Sequence, residues 1–117
     1  MKWHPGIEAE VGWLAERERS VRARCLVCCR IVEVDLARLL SEKGPAFSLS
    51  NRRPRCRQEG CPGRVTFEDW SRMWPIRLDT ITDRDAAWWD MGDQIKREAE
   101  AAGWRIKMGK WVRDADK

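Results

Sequence analysis

The five cysteines are the residues whose type and spacing most clearly indicate chemistry. They form two tight clusters, Cys25-Leu-Val-Cys28-Cys29 and Cys56-x4-Cys61, which residues 30–55 separate. Two pairs of thiolates on short turns make a tetrahedral site for Zn²⁺, with Zn–S distances of about 2.3 Å. Four sulfur ligands with no open position are typical of a structural site rather than a catalytic one. We therefore predict one structural Zn²⁺, held by Cys25, Cys28, Cys56 and Cys61.

The alternative to a metal site is a set of buried free thiols or a redox pair. A thioredoxin-type role needs an exposed cysteine of low pKa near a βαβ pattern, and the sequence shows no such pattern. The first residues lack the apolar run of a signal peptide, and no segment approaches the roughly 20 apolar residues of a membrane span. We therefore expect reduced cysteines in a cytoplasmic protein that has no membrane contact.

Nucleophilic catalysis is the class of function that the composition argues against. The chain has one histidine, His4, which precedes Pro5 near the N-terminus. Any Cys–His or Ser–His pair would have to use that residue. We therefore expect a protein that is not an enzyme and that has no small-molecule substrate.

Positive charge is concentrated on the segment that carries the cysteines. The net charge of the chain is +4, but residues 17–65 hold twelve basic and five acidic residues, whereas residues 66–104 hold five basic and nine acidic ones. Arginine supplies 17 of the 23 basic residues, and its planar guanidinium suits phosphate. Such a patch predicts salt-dependent binding of nucleic acid. The candidate nucleic-acid-binding residues are Arg22, Arg24, Arg30, Arg52, Arg53, Arg55, Arg57 and Arg64.

Two other interpretations of these arginines stay open. They can form a solvated surface that nearby glutamates offset, or they can balance the charge of −2 that four thiolates on one Zn²⁺ leave. The leading prediction is a nucleic-acid-binding or regulatory module. The alternative is a protein–protein adaptor whose zinc site is purely structural.

Tryptophan dominates the C-terminal half of the chain. Six of the eight tryptophans lie at or beyond residue 70, and the chain has no tyrosine. Most of them are expected in the core, because a small domain with two phenylalanines needs large apolar volume. An exposed tryptophan would instead anchor a protein partner, and Trp74 and Trp89 are the candidate partner-binding residues.

Short elements must position the cysteines. Ile7, Val11 and Leu14 indicate a helix within residues 6–19. The alternation over residues 21–25 predicts a strand that enters the first cysteine turn, and residues 31–34 predict its antiparallel return. Asp35 is a good N-cap for a helix that Gly44 ends.

The second half is expected to continue in the same manner. Alternation at Val65 and Phe67 predicts a strand that completes a second hairpin around Cys56 and Cys61. A helix is predicted from Thr82 or Asp83 to about residue 102, with Trp88, Met91, Ile95 and Ala99 on its buried face. A β-hairpin is predicted after Gly103.

Several short motifs together resemble a known group of proteins. These are Cys-x2-Cys at 25–28, Val-Asp-Leu-x2-Leu at 34–39, Gly44, and Arg-x-Arg-Cys-x4-Cys-x-Gly-Arg-Val at 53–65. Over about residues 21–68 the chain resembles short alphaproteobacterial zinc-ribbon proteins, which are mostly uncharacterised. The resemblance implies a metal-stabilised fold. That group commonly has a small or polar residue after the second cysteine, where this chain has Cys29, so the first ligand pair is either Cys25/Cys28 or Cys25/Cys29.

These patterns together predict an α+β fold. Residues 1–20 form an N-terminal helical segment, residues 21–68 a zinc ribbon with an inserted helix, and residues 69–117 a tryptophan-rich helix and β-hairpin. The last segment is expected to pack on the ribbon in a single compact domain.

Overall fold

The computed structural model describes residues 7–113 of the chain. The predictions that concern Trp3 and His4, and the outer ends of the 1–20 and 69–117 segments, lie outside the described residues. Between residues 7 and 113 the chain folds into three α-helices and two antiparallel sheets. The predicted α+β class is therefore confirmed. Across the same residues no helix is long and apolar enough to span a bilayer.

The larger sheet has four strands in the order β2-β1-β3-β4. Strand β1 (Val21–Cys25) and strand β2 (Ile31–Glu33) form the predicted first hairpin. Strand β3 (Val65–Asp69) pairs with the other side of β1, and the short strand β4 (Ile76–Arg77) pairs with β3. The sequence pattern did not predict β4.

Strand β3 lies where it was predicted, but its main partner differs from the expected one. It runs along the whole of β1, from the Cys25–Val65 pair to the Val21–Asp69 pair. The second cysteine turn keeps one isolated bridge, between Arg55 and Arg64. Strand β3 pairs with β1 because apolar and polar residues alternate in both strands. This pairing places the apolar side chains of β1 and β3 on one face of the sheet.

The N-terminal helix is shorter than predicted. A 3₁₀ turn (Ile7–Ala9) precedes helix α1 (Val11–Glu16), and Glu18 adopts a left-handed conformation with φ of 50°. Gly12 lies against Pro45, where a Cβ atom at position 12 would stand 2.6 Å from the Pro45 Cβ. A glycine that weakens the helix locally thus allows the close approach of two segments.

The inserted helix matches its prediction. Helix α2 (Leu36–Lys43) lies between the two cysteine clusters in the chain. The Asp35 side chain accepts a hydrogen bond from the Arg38 backbone N–H at 3.0 Å, and Gly44 ends the helix with φ of 88°. This capping satisfies an otherwise unpaired N–H of the first turn.

The C-terminal part contains helix α3 (Ala86–Ala101) and a hairpin of β5 (Trp104–Lys107) and β6 (Lys110–Arg113). Helix α3 begins later than predicted because the Thr82 N–H donates to the Asp85 carboxylate at 2.7 Å in a turn that precedes it. Of the four residues predicted on its buried face, Ile95 and Ala99 are buried, whereas Trp88 and Met91 are only partly buried.

Two apolar clusters form the core. The first joins α1, the start of β1 and the segment around Leu49, and includes Val11, Leu14 and Val21. The second surrounds the cysteines and consists of Cys25, Val27, Ile95, Ala99 and Trp104. The C-terminal helix and hairpin therefore pack against the cysteine turns, and the middle of the sheet lies between the two clusters.

Candidate metal centre and the adjoining arginine cleft

Two backbone turns bring the cysteine pairs together. In the first turn, which follows β1, the Cys25 N–H donates to the Arg30 carbonyl at 2.9 Å, and the Leu26 N–H donates to the Arg64 carbonyl at 2.9 Å. In the second turn, the Cys56 N–H donates to the Gly63 carbonyl at 2.9 Å. The bond between Leu26 and Arg64 ties the two turns directly to each other. Each turn thus places its two thiols on the side that faces the other pair.

The four sulfur atoms have the spacing of a tetrahedral metal site. The Sγ atoms of Cys25, Cys28, Cys56 and Cys61 all lie within 4.8 Å of one another. The Cys25–Cys61 distance is 3.7 Å and the Cys28–Cys56 distance is 3.8 Å. A regular tetrahedron with Zn–S bonds of about 2.3 Å has edges of about 3.8 Å. The cluster is therefore of the right size to hold one metal ion and is compatible with a zinc ribbon.

Backbone N–H groups point at all four sulfurs. Val27 donates to Cys25 at 3.4 Å, Gln58 donates to Cys56 at 3.4 Å, and Gly63 donates to Cys61 at 3.3 Å. The Arg30 N–H bonds to the Cys28 sulfur in the same way. In each case the donor lies two residues after the cysteine, so the two turns repeat one local geometry. These bonds favour the thiolate form that a metal requires.

Burial gives the thiols different acidities. Desolvation raises the pKa of Cys25 well above its usual value, and desolvation likewise raises the pKa of Cys61. Burial also disfavours the Cys28 thiolate, but the Arg30 N–H and the neighbouring thiols outweigh it and the pKa of Cys28 is lowered. A metal that binds here must therefore displace protons from the more buried thiols.

Cys29 is not among the clustered cysteines. Its backbone has φ of 65°, its side chain is exposed, and its Sγ lies 4.0 Å from the Val27 carbonyl oxygen. The left-handed conformation turns the chain after Cys28 and directs the Cys29 side chain outward. Of the two ligand pairs that the sequence left open, the structure brings Cys25 and Cys28 into the cluster.

Four of the candidate nucleic-acid-binding arginines make ion pairs, the longest of which joins the exposed Arg55 to Glu98 at 3.7 Å. Arg64 makes two bonds to Glu98 of α3, at 3.0 and 2.9 Å. Arg24 pairs with Glu68 across the sheet at 3.1 Å. Arg53 pairs with Asp79 at 2.7 Å, and both of these side chains are less than one-tenth exposed. The sequence offered no signal for these partners, because each lies more than 25 residues away along the chain.

Two further candidates stack on aromatic rings. The Arg22 guanidinium lies 4.7 Å from the centroid of Trp70. The Arg52 guanidinium lies 4.0 Å from the centroid of Phe47, and its Nε donates to the Ser48 carbonyl. Arg22 and Arg24 belong to the sheet face opposite Ala23, so they are separated from the remaining arginines by the sheet itself.

The exposed candidates surround a cleft of about 800 Å³ on the sheet, which we call the arginine cleft. Its floor consists of Ala23, Val32, Val65 and Phe67. One wall is the loop of residues 52–57, and the other is the end of β2 with α2. The charged residues that line it are Arg30, Arg38, Arg52, Arg53, Arg55, Arg57, Glu33, Asp35 and Glu42. Glu33 alternates with Val32 on β2, so its side chain belongs to the opposite face of the sheet.

Five of the eight candidates therefore meet at one cleft, beside the metal turns. Cys56 also lines it, so the arginine cleft and the sulfur cluster share a wall. Arg30 is fixed by a 2.7 Å bond to Gln58 of the second cysteine turn. Arg38 was missed by the sequence analysis. Arg38 lies on α2 four residues before Glu42 and pairs with it at 2.9 Å. In the sequence, that spacing indicates an ion pair within one helix rather than a ligand contact.

The two candidate partner-binding tryptophans are both exposed. Trp74 is 72% exposed and Trp89 is 60% exposed, and the Trp89 Nε1–H donates to the Asp83 carbonyl at 2.8 Å. Met73 and Ile76, on either side of Trp74 in the chain, are exposed as well. Trp104 is buried in the second core cluster, and Trp13 and Trp111 pack against the two clusters. The expectation that most tryptophans serve the core therefore holds for three of the seven described tryptophans.

No known protein family, curated protein or solved structure matches this chain. The resemblance to short alphaproteobacterial zinc-ribbon proteins therefore stays a prediction that rests on the cysteine motifs.

Proposed function

We propose that the four clustered cysteines hold one structural Zn²⁺. The donor set supports this, because four thiolates in tetrahedral spacing suit Zn²⁺ and leave no position for a substrate. The location also supports it, because the sulfurs lie in a core cluster between the cysteine turns and α3. A structural zinc site of this type contributes directly to folding.

Metal analysis of protein purified under reducing conditions tests the zinc proposal. We expect one zinc per chain, and we expect Cys56→Ser to lose zinc and most of its cooperative unfolding. Cys29→Ser is the matched control, because it removes a thiol outside the cluster. Wild-type protein with no bound zinc, or a Cys56→Ser variant with full zinc content and stability, would contradict the proposal.

We propose further that the chain is a non-enzymatic module that binds nucleic acid at the arginine cleft. The observation that carries this proposal is the convergence of five arginines that are not buried, from the first cysteine turn, α2 and the 52–57 loop, on one concave surface. Asp35 and Glu42 share that surface, so the five arginines and two carboxylates that face it have a net charge of +3 (five arginines less two acids). Guanidinium groups on a concave surface can contact successive phosphates.

A salt titration with paired variants tests the nucleic-acid proposal. We expect a fluorescein-labelled oligonucleotide to bind, with an affinity that falls steeply as salt rises. Arg55→Gln/Arg57→Gln should reduce the logarithmic salt slope by about 1 to 2, because two phosphate contacts are removed. The control is Arg84→Gln/Arg97→Gln, which removes the same charge from exposed positions outside the cleft. Equal losses in both variants would indicate a non-specific charge effect and contradict the assignment of the cleft.

A protein–protein adaptor is the second candidate, and one observation favours it. Met73, Trp74 and Ile76 are 85%, 72% and 46% exposed next to the sheet edge at β4. An apolar cluster of this kind is typical of an interface. A Trp74→Ser variant that abolishes self-association or capture of a purified partner, while leaving nucleic-acid binding intact, would support this function.

A further inference from the structure

The floor of the arginine cleft is apolar, although its rim is charged. Ala23 and Val65 are partly buried, Val32 is 45% exposed, and all three side chains belong to the same face of the sheet as Phe67. Phe67 packs against the first core cluster and Val65 against the second, whereas Ala23 and Val32 lie between the clusters and belong to neither. A ligand that only neutralised the arginines would leave this apolar floor in contact with water.

The size of the cleft fits an aromatic group rather than a phosphate alone. Cavities of about 300–1,000 Å³ accommodate drug-sized molecules, and the arginine cleft has a volume of about 800 Å³. Phe47 and Phe67 are among its lining residues, and the Arg52 guanidinium stacks on the Phe47 ring. Flat apolar groups gain by contact with such rings.

The charges divide between the two walls. Arg52, Arg55 and Arg57 belong to one wall, and Asp35 and Glu42 belong to the other, where Arg38 pairs with Glu42 at 2.9 Å. A ligand that is anionic on one side and carries N–H donors on the other complements this arrangement. A nucleotide has this distribution, since its phosphate is anionic and most bases present amino or imino groups.

We propose that the arginine cleft takes up an unpaired base of single-stranded nucleic acid. The base would lie on the apolar floor, and the phosphates on either side of it would contact Arg30 and the exposed arginines of the 52–57 loop, Arg52, Arg55 and Arg57. In a duplex the base faces are stacked and the polar edges are paired, so a recessed floor cannot contact them. This inference rests on the proposed nucleic-acid function and adds its substrate class, namely single strands with accessible bases.

Three oligonucleotides of equal length test this inference by fluorescence anisotropy at one moderate salt concentration. The first is a 12-nucleotide single strand of mixed sequence, the second is the same strand in a duplex, and the third is a single strand of abasic sugar phosphates. We expect the abasic strand and the duplex each to bind about tenfold or more weakly than the single strand. This expectation follows from a stacking contribution of about 1–3 kcal/mol per base, where 1.4 kcal/mol is a factor of ten.

Substitutions at two adjacent residues of β2 test whether the base contacts the cleft floor. Val32 lies on the cleft floor and is 45% exposed, whereas Ile31 is 39% exposed and belongs to the opposite face of the same strand. Val32→Gln should weaken the single strand by several fold and leave the abasic strand unchanged. Ile31→Gln should alter neither, and both variants replace a half-exposed apolar residue, so comparable folding is expected.

The outcomes separate this inference from the function on which it rests. If the abasic strand or the duplex binds as tightly as the single strand, base uptake is wrong and a phosphate-binding cleft remains. The same conclusion follows if Val32→Gln and Ile31→Gln behave alike. If none of the three oligonucleotides binds, the nucleic-acid function and base uptake both fall.

Discussion

Asp79 is the residue whose loss should destabilise the fold most clearly outside the metal site. Its carboxylate is 3% exposed and accepts two bonds from Arg53, at 3.0 and 2.7 Å. It also accepts from the Asn51 N–H at 3.0 Å, and Arg77 lies 3.0 Å away. One carboxylate thus connects β4 with the chain segment that leads into the 52–57 wall of the arginine cleft.

The cost of Asp79→Ala follows from the burial of the pair. Removal of one member of a buried ion pair costs about 3–5 kcal/mol, because the remaining charge has no compensation. The Arg53 side chain is 9% exposed, so it cannot recover its hydration without movement of the loop, whereas Arg77 is 34% exposed and can turn to water. We therefore expect a loss of about 3–5 kcal/mol in the free energy of unfolding, most of it from Arg53. Asp79→Asn keeps one accepting oxygen and should lose less.

Urea unfolding followed by tryptophan fluorescence measures this loss, with zinc and reductant held constant. The control is Asp93→Ala, which removes the same charge from an exposed position on α3 and should change stability by less than about 0.5 kcal/mol. An equal slope of free energy against urea for all variants would validate the comparison. A loss below about 1 kcal/mol for Asp79→Ala would refute the reasoning, because it would mean that Arg53 does not depend on this partner.

Three further predictions concern the cysteine turns. Cys28→Ser should lose the metal, whereas Cys29→Gly should keep it. Cys29→Gly should also raise the unfolding free energy by up to about 1 kcal/mol, since glycine adopts a φ of 65° without strain. Zinc content and urea midpoints measure both variants. Gly63→Ala should cost about 1–3 kcal/mol because its Cβ would lie 2.6 Å from a cysteine sulfur, whereas Gly92→Ala, on an open helix face, should gain about 0.5–1 kcal/mol. Zinc affinity should rise with pH through neutrality, because burial raises the pKa of Cys25 and keeps its thiol protonated until the metal displaces the proton. Competition with a chelator at several pH values measures this dependence, and an affinity that does not change with pH would contradict it.

Local signals in the sequence predicted the elements that hold the cysteines. The alternation over β1, the Asp35 cap of α2 and the Gly103 stop after α3 each depend on neighbours in the chain, and each element lies close to its predicted place. The pairing of β3 with β1 was missed, because register between distant strands depends on packing that no local pattern encodes. Strand β4 has two residues, too few for any alternation.

The arginines show the limit of sequence reasoning most clearly. Arg53 and Arg55 lie two residues apart, but the first is buried on Asp79, whereas the second is exposed at the cleft, 3.7 Å from Glu98. Composition predicted a positive segment correctly but could not separate these roles, because an arginine binds a distant carboxylate and a phosphate by the same geometry. The sequence also could not predict the apolar floor of the cleft, since Ala23 and Val32 resemble ordinary core residues in the sequence.

The metal site and the arginine cleft make one combined prediction, in which charge and geometry have opposite effects. Four thiolates on Zn²⁺ carry −2, whereas four protonated thiols carry no charge, so removal of the metal makes the surroundings of the cleft more positive. Electrostatics alone therefore predicts tighter binding of nucleic acid by metal-free protein. The geometry predicts the reverse, because Arg30 is fixed on Gln58 of the second cysteine turn and the 52–57 wall leads directly into Cys56. We expect chelation to weaken binding of the single strand and zinc to restore it. Tighter binding by the metal-free protein would show that net charge, rather than the shape of the cleft, governs the interaction.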